Sequence, residues 1–278
     1  VKRILQFLVY SNLFIAACAV IMVNQAYNFL LKLPPEKNYL AFVFFSTICS
    51  YSFHWYLTPG SLVESPRIEW VKKFRVFHLL LFIIGIVGAG YFFFALLPYW
   101  YWLGLSAFIT FLYSAPKIPH PFFRALRKVA IGKTIFLSAV WTYVTVSLPV
   151  IISHAEWNWQ VVLFTVSRFF FIYAICILFD FRDRADDKAA GIRSMVTYFD
   201  EKGVDRLFFF SLLASEFATL FLYKFGVHAA SIWILLIPGF ITRGIYRYAK
   251  KNFSDYLYYL LLDGLMMLSA LLMLVFPF

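Results

Sequence analysis

Nine stretches of this chain are apolar for long enough to cross the roughly 30 Å hydrocarbon core of a bilayer. They run approximately over residues 4–31, 38–57, 74–97, 99–114, 129–152, 157–180, 207–224, 227–246 and 255–277. A chain that commits this much of its length to spanning segments must satisfy its backbone inside each segment. Helices do so one by one, so the expectation is an all-α polytopic membrane protein. Pro34-Pro35, Pro59-Gly60, Pro98 and the Pro116–Pro121 stretch punctuate the joins. No join is long enough to house a soluble domain, so a single membrane domain over 1–278 is expected. The first apolar run leads into a spanning segment without a small-residue cleavage site, which argues against a secretory leader.

Composition agrees with this reading. The 278 residues are 63% hydrophobic and only 14% charged, and mean hydropathy is +0.78; soluble domains lie nearer 45–50% and about 25%. A net charge of +11 would point to nucleic acid on a soluble protein, but here it sorts by side. Of 25 Lys and Arg, 20 fall on the side that holds the N-terminus and the second–third, fourth–fifth, sixth–seventh and eighth–ninth joins. Three (Lys32, Lys37, Lys224) fall on the other, and Lys133 and Arg168 lie inside spans. Positive charge is retained on the cytoplasmic face, which places the N-terminus inside and the C-terminus outside, with no role for nucleic acid. Cys18, Cys49 and Cys176 sit in apolar runs without metal-ligand spacing and read as small core residues.

Against this background the acidic residues stand out. Six aspartates (Asp180, Asp183, Asp186, Asp187, Asp200, Asp205) crowd into one stretch at the end of the sixth span, out of only 14 acidic residues. Asp180, Asp183 and Asp187 are spaced three and four apart, which puts them on one face of a helix. Like charges so placed repel unless a cation bridges them or water screens them. Mg²⁺ prefers carboxylate oxygen and often joins one or two carboxylates to a substrate phosphate. The pattern therefore reads either as a Mg²⁺–diphosphate site or as a solvated acidic face interleaved with Arg182, Arg184 and Lys188.

The stretch Asp180-x-x-Asp183-x-x-x-Asp187-x-x-x-Gly191-x-Arg193-Ser194 resembles the second aspartate-rich motif of the UbiA superfamily of intramembrane prenyltransferases. Tyr113-Ser114-Ala115-Pro116-Lys117 is similar to a shorter family pattern after the fourth helix. The resemblance implies nine transmembrane helices around a central cavity. It implies that Asp183 and Asp187, with Asp180, bind Mg²⁺ bridging to an isoprenyl diphosphate. Lys117 would bind the diphosphate, with Tyr113, Arg124, Lys133 and Arg193 as further substrate-binding candidates. The implied reaction transfers a prenyl group to a lipid-soluble, aromatic acceptor in the membrane, the simplest location being a bacterial inner membrane. Terpene cyclisation, or a non-catalytic lipid-binding relative, are the alternatives.

One element of the family pattern is missing. The family's first aspartate motif ends its second helix, and the corresponding stretch here, Ser50 to Gly60, has no carboxylate. Three outcomes are open: Lys117, Lys133 or Arg168 substitutes for a lost metal; His54 takes over, binding phosphate or shuttling a proton; or catalysis is lost. Lys133, Arg168, Glu216 and Asp263 interrupt apolar runs and should face the bundle interior. An Arg168–Glu216 pair is expected, with a buried partner or an acceptor-orienting role for Asp263. His78, His120, His154 and His228 read as interfacial residues, and Gly85, Gly88 and Gly90 as points of close helix approach.

Overall fold

The computed structural model describes residues 2–58, 65–118, 120, 122, 132–189, 191 and 194–276. Among these the protein is all-helical, with no strand. The N-terminal run breaks into α1 (Lys2–Tyr10) and α2 (Leu13–Gln25), which continues as a π-helix to Leu31. The break falls at Asn12, whose φ of 66° is left-handed; asparagine tolerates that region better than most residues. Then come α3 (Lys37–Tyr56), α4 (Pro66–Lys73), α5 (Arg75–Ala95) and α6 (Trp100–Ser114). Next, α7 (Lys133–Thr142) passes through a π segment at Tyr143–Ser147 into α8 (Leu148–Ile152). The chain proceeds through α9 (Trp159–Arg182), α10 (Arg184–Ala189), α11 (Met195–Tyr198), α12 (Glu201–Phe221) and α13 (Ala229–Ala249). A last π-helix (Leu257–Leu262) leads into α14 (Asp263–Val275).

Seven helical stretches among the described residues are long and apolar enough to cross a membrane: Leu13–Leu31, Arg75–Ala95, Thr134–Ile152, Trp159–Arg182, Glu201–Phe225, Ala229–Ala249 and Leu257–Val275. The protein is an integral membrane protein of this helical type. The two other expected spans are α3 and α6. The 20-residue α3 is long enough but diluted by Asn38, Ser46, Thr47, Ser50, Ser52 and His54, and α6 has only 15 residues. Both nevertheless run between the two ends of the bundle. The α3 end at Ser52 meets Asn12 at the start of α2, and Tyr99, just before α6, bonds to the carbonyl of Ile152 at the far end.

Neighbouring helices close a ring in the order α2, α3, α6, α7, α9, α12, α13, α14 and back to α2. Helix α9 is the most deeply buried span. Helix α5 packs on the outside of α3 and turns Val76, Ile83, Ile84, Ile86 and Val87 outward, an all-apolar face suited to lipid. The α3–α5 seam is tight because of two glycines: a Cβ on Gly85 would lie 2.6 Å from the Cys49 backbone nitrogen, and one on Gly88 2.5 Å from the Phe45 ring. Gly90, expected to share that role, has nothing within 4 Å.

Inside the ring, one continuous apolar cluster contains Ile15, Cys18, Met22, Trp141, Tyr173, Cys176, Leu262 and Met266. At the end carrying the aspartates, Tyr51, Trp55, Phe179 and Tyr259 stay half-exposed. A groove of about 400 Å³ lies between α6, α7 and α9, lined by Ile109, Val140, Tyr143, Phe169 and Phe170 among others. Among the described residues none of the three cysteines forms a disulfide, and Cys18 and Cys176 are buried.

Several interior charges are placed otherwise than expected. Arg168 and Glu216 do not pair. The Arg168 guanidinium turns from α9 toward α2 and α14, donating to Gln25 and, at 2.6 Å, to Ser269 Oγ. Glu216 faces α13 and binds Arg243 at 2.6 Å. His78, in the first turn of α5, is wholly buried beside Trp70, and neither ring nitrogen has a hydrogen-bond partner among the described residues.

Candidate active site

Helix α9 carries Asp180 on its last turn and ends at Asp183, whose φ and ψ of −84° and 2° loosen the helix without reversing it. The Asp187 N–H donates to the Asp183 carbonyl at 2.9 Å, so the helical path continues into α10. Asp180 and Asp187 are buried and Asp183 is half-buried. The Thr134 hydroxyl, at the start of α7, donates to Asp180. That bond ties the two helices together at the level of the motif.

The residues after the aspartates have local structural reasons. Gly191 adopts a φ of 68°, where side chains are strained and glycine is not. Ser194 then caps α11: its Oγ accepts from the Thr197 N–H at 3.2 Å, and Thr197 Oγ1 accepts from the Ser194 N–H at 2.8 Å. The spacing Asp-x-x-x-Gly-x-x-Ser is thus a helix end, a left-handed turn and a new helix start. Asp200 and Asp205 lie apart from this. Asp200 accepts from the Gly203 N–H to cap α12, and Asp205 accepts from Tyr246 and Lys250.

A second cluster forms where α3 and α6 end. Lys117 Nζ lies 2.6 Å from His54 Nε2 and 2.6 Å from Thr58 Oγ1. With Lys117 as an ammonium, which has only donors, His54 Nε2 accepts and the imidazole proton is assigned to Nδ1. From there it donates to Ser114 Oγ at 3.2 Å. The Tyr113 ring stacks on His54 with centroids 5.3 Å apart. Three residues singled out in the sequence (His54, Tyr113, Lys117) are therefore brought together, on the carboxylate-free end of α3. In this arrangement His54 positions the lysine. Arg124 and Arg193 lie outside the described residues, and Lys133 starts α7 with its side chain outside them.

Tyr259 connects the two clusters. Its ring meets Trp55 of α3 at 5.7 Å and Phe179 of α9 at 5.7 Å. The guanidiniums of Arg67 and Arg182 lie 4.1 and 4.7 Å from its centroid. Both arginines are more than nine-tenths buried. Asp255 anchors them, accepting from Arg182 Nη2 at 3.0 Å, the Arg67 backbone N–H at 2.9 Å, Ser65 Oγ at 2.8 Å and Tyr10 OH at 3.0 Å. Arg67 Nη2 donates to Asn12 Oδ1 at 2.7 Å. Burial pulls the Arg67 guanidinium below its ordinary value, although Tyr259 and two aspartates oppose that. Arg67, Arg182, Asp255 and Tyr259 were not legible as a site, because charge counting treats every loop arginine as solvated. The one signal was Arg182 inside the aspartate stretch.

Among the described residues no three His, Cys, Asp or Glu side chains converge as a metal site. Mg²⁺ shared with a phosphate needs only one or two carboxylates, and Asp183 and Asp187, one turn apart on a continuous path, fit that smaller demand. Asp180 is already engaged by Thr134.

The model of the UbiA prenyltransferase family matches residues 58–256. The chain belongs to that family. The matched region begins just after the carboxylate-free end of α3 and takes in Lys117, the whole aspartate stretch and Asp255. No curated protein and no solved structure matches the chain.

Proposed function

We propose that this UbiA-family protein transfers a prenyl group, with Mg²⁺, from an isoprenyl diphosphate to a lipid-soluble aromatic acceptor. The observation that carries the reading is the placement of the Lys117 ammonium, held by His54 and Thr58, at the same end of the bundle as Asp180, Asp183 and Asp187. Cation and carboxylates together make a diphosphate site: Lys117 binds the phosphate oxygens directly, and Asp183 and Asp187 hold the metal. Bound Mg²⁺ would supply charge stabilisation as the allylic C–O bond ionises. The ring faces of Tyr51, Trp55, Phe179 and Tyr259 line the approach, where π-faces stabilise the positive charge left on the prenyl group. Lys117 also compensates for the carboxylates absent from Ser50 to Gly60, since a fixed ammonium meets part of the charge that a further metal would meet. With the basic joins inside, the site faces the cytoplasm, and a bacterial inner membrane is the simplest host.

A second reading, a non-catalytic prenyl-lipid-binding relative, draws on the apolar cluster packed inside the ring and the missing carboxylates. Product analysis separates them. Purified protein in nanodiscs is given geranyl, farnesyl or geranylgeranyl diphosphate with Mg²⁺, with and without phenolic acceptors. Conjugates formed only with acceptor support transfer, and a cyclised product without acceptor supports cyclisation. Folded protein that releases no diphosphate across the series supports the non-catalytic reading.

A further inference from the structure

Asp263 stands apart from every other buried charge among the described residues. It is 8% exposed, yet makes neither a hydrogen bond nor an ion pair with any of them. An ionised carboxylate without partners in an apolar interior is costly, and such groups persist where they have a task. Its position is set by an unusual backbone: the π-helix Leu257–Leu262 ends immediately before it, and π segments within α-helices recur at functional sites. Tyr259 precedes it by four residues on the same helix, so Asp263 lies about one turn deeper than the Tyr259 ring that joins the Lys117 and aspartate clusters. The groups facing it within electrostatic range are Cys18 from α2, Tyr51 from α3, Arg67 from α4 and Arg182 from α9. The two guanidiniums lie toward the motif end and are already tied to Asp255 and Asn12.

We propose that Asp263 is the base that ends the reaction, taking the proton released when the prenyl carbocation is quenched. This rests on the prenyl-transfer reading. The C–O bond to diphosphate breaks and diphosphate leaves with the electron pair. The acceptor's ring carbon supplies two π electrons to form the new C–C bond. The resulting ring cation loses its proton to the Asp263 carboxylate, which restores the aromatic system. Depth fits this order, because a diphosphate held at Lys117 and Asp183 directs its allylic carbon inward, toward the level of Asp263.

The test compares wild type with Asp263→Asn and Asp263→Glu in nanodiscs, using farnesyl diphosphate, Mg²⁺ and a phenolic acceptor that wild type converts. Three quantities are measured: farnesyl diphosphate binding, diphosphate release, and the ratio of conjugate to farnesol. For Asp263→Asn we expect wild-type binding and continued diphosphate release. Conjugate should fall about 100-fold, the usual scale of a lost general base, with farnesol rising in its place. A ring-deuterated acceptor should then show an isotope effect that wild type lacks. Asp263→Glu should restore part of the conjugate, and it carries the test alone if the asparagine variant does not fold. Unchanged product ratios in both variants overturn the assignment while leaving the diphosphate site intact. Wild type that neither binds nor releases diphosphate overturns the prenyl-transfer reading itself, and this proposal with it.

Discussion

Removing the Asp255 carboxylate should unfasten the motif end of the bundle. This one side chain receives donors from four separate segments: Tyr10 of α1, Ser65 and Arg67 around α4, and Arg182 of α9. The side chains of Arg182 and Asp255 are only 5% and 3% exposed. Asp255→Ala leaves the Arg182 charge buried, with the rings of Tyr258 and Tyr259 beside it and Asp183 within electrostatic range. Breaking a buried pair in this way costs about 3–5 kcal/mol, because the remaining charge loses its hydrogen-bonded counter-ion. At roughly 2–4 °C per kcal/mol for a chain approaching this size, the melting temperature should drop by roughly 6–20 °C. The cysteines provide the assay, since Cys18 and Cys176 are buried and react with a thiol dye only on unfolding. Asp255→Asn keeps the shape and one accepting oxygen and should cost about 1.5–3 kcal/mol, the worth of a hydrogen bond to a charged group. Combining Asp255→Leu with Arg182→Met should cost less than Asp255→Ala alone, since the Arg182 charge is removed together with its counter-ion. An Asp255→Ala protein melting within about 2 °C of wild type would refute the reasoning, because the arginine would then be satisfied by something other than Asp255.

Other predictions follow from the same contacts. Lys117→Ala should weaken prenyl diphosphate binding by about 2–3 kcal/mol, the upper part of the range for hydrogen bonds to a charged group, or roughly 30- to 150-fold. His54→Ala should reproduce part of that loss without changing the melting temperature, measured by titration in nanodiscs; a wild-type affinity would remove His54 from the site. Gly85→Ala should destabilise by about 1–3 kcal/mol through its clash with the Cys49 backbone. Gly90→Ala should be neutral or gain up to about 1 kcal/mol of helix propensity. Thermal melting of the pair checks both signs. Thr134→Val should loosen α7 from α9 by about 1.5–3 kcal/mol, because it removes a hydroxyl donor from the buried Asp180 carboxylate.

The fold was legible where one residue type dominates over a long window. Spans such as Arg75–Ala95 and Trp159–Arg182 announce themselves by hydropathy alone. The weaker cases are α3, diluted by serines and threonines that bond to the preceding turn, as Thr47 does to Val43, and α6, which is short. Neither length nor hydropathy reveals that both run the length of the bundle; packing against α2 and α7 does. The break at Asn12 was hidden because a left-handed residue costs little there when its side chain is bonded to Ser52 and Arg67.

At the site, local spacing was readable and long-range pairing was not. The Asp-x-x-x-Gly-x-x-Ser pattern reflects helix end, turn and cap, all within a few residues. The buried Arg67–Asp255–Arg182 group joins residues almost 190 positions apart, and no periodicity carries such information. The expected Arg168–Glu216 pair failed for the same reason. Opposite charges on adjacent helices, α9 and α12, attract only if they face each other, and here α9 directs Arg168 toward Gln25 and Ser269 instead.

The most direct test of the diphosphate site is the Mg²⁺ dependence of farnesyl diphosphate binding to the protein in nanodiscs, for wild type and for Asp183→Asn with Asp187→Asn. The account predicts binding that requires Mg²⁺ in wild type and is abolished in the double variant while its melting temperature is retained. Equal, Mg²⁺-dependent binding by both proteins would contradict it, because the metal would then be held somewhere other than the aspartate stretch.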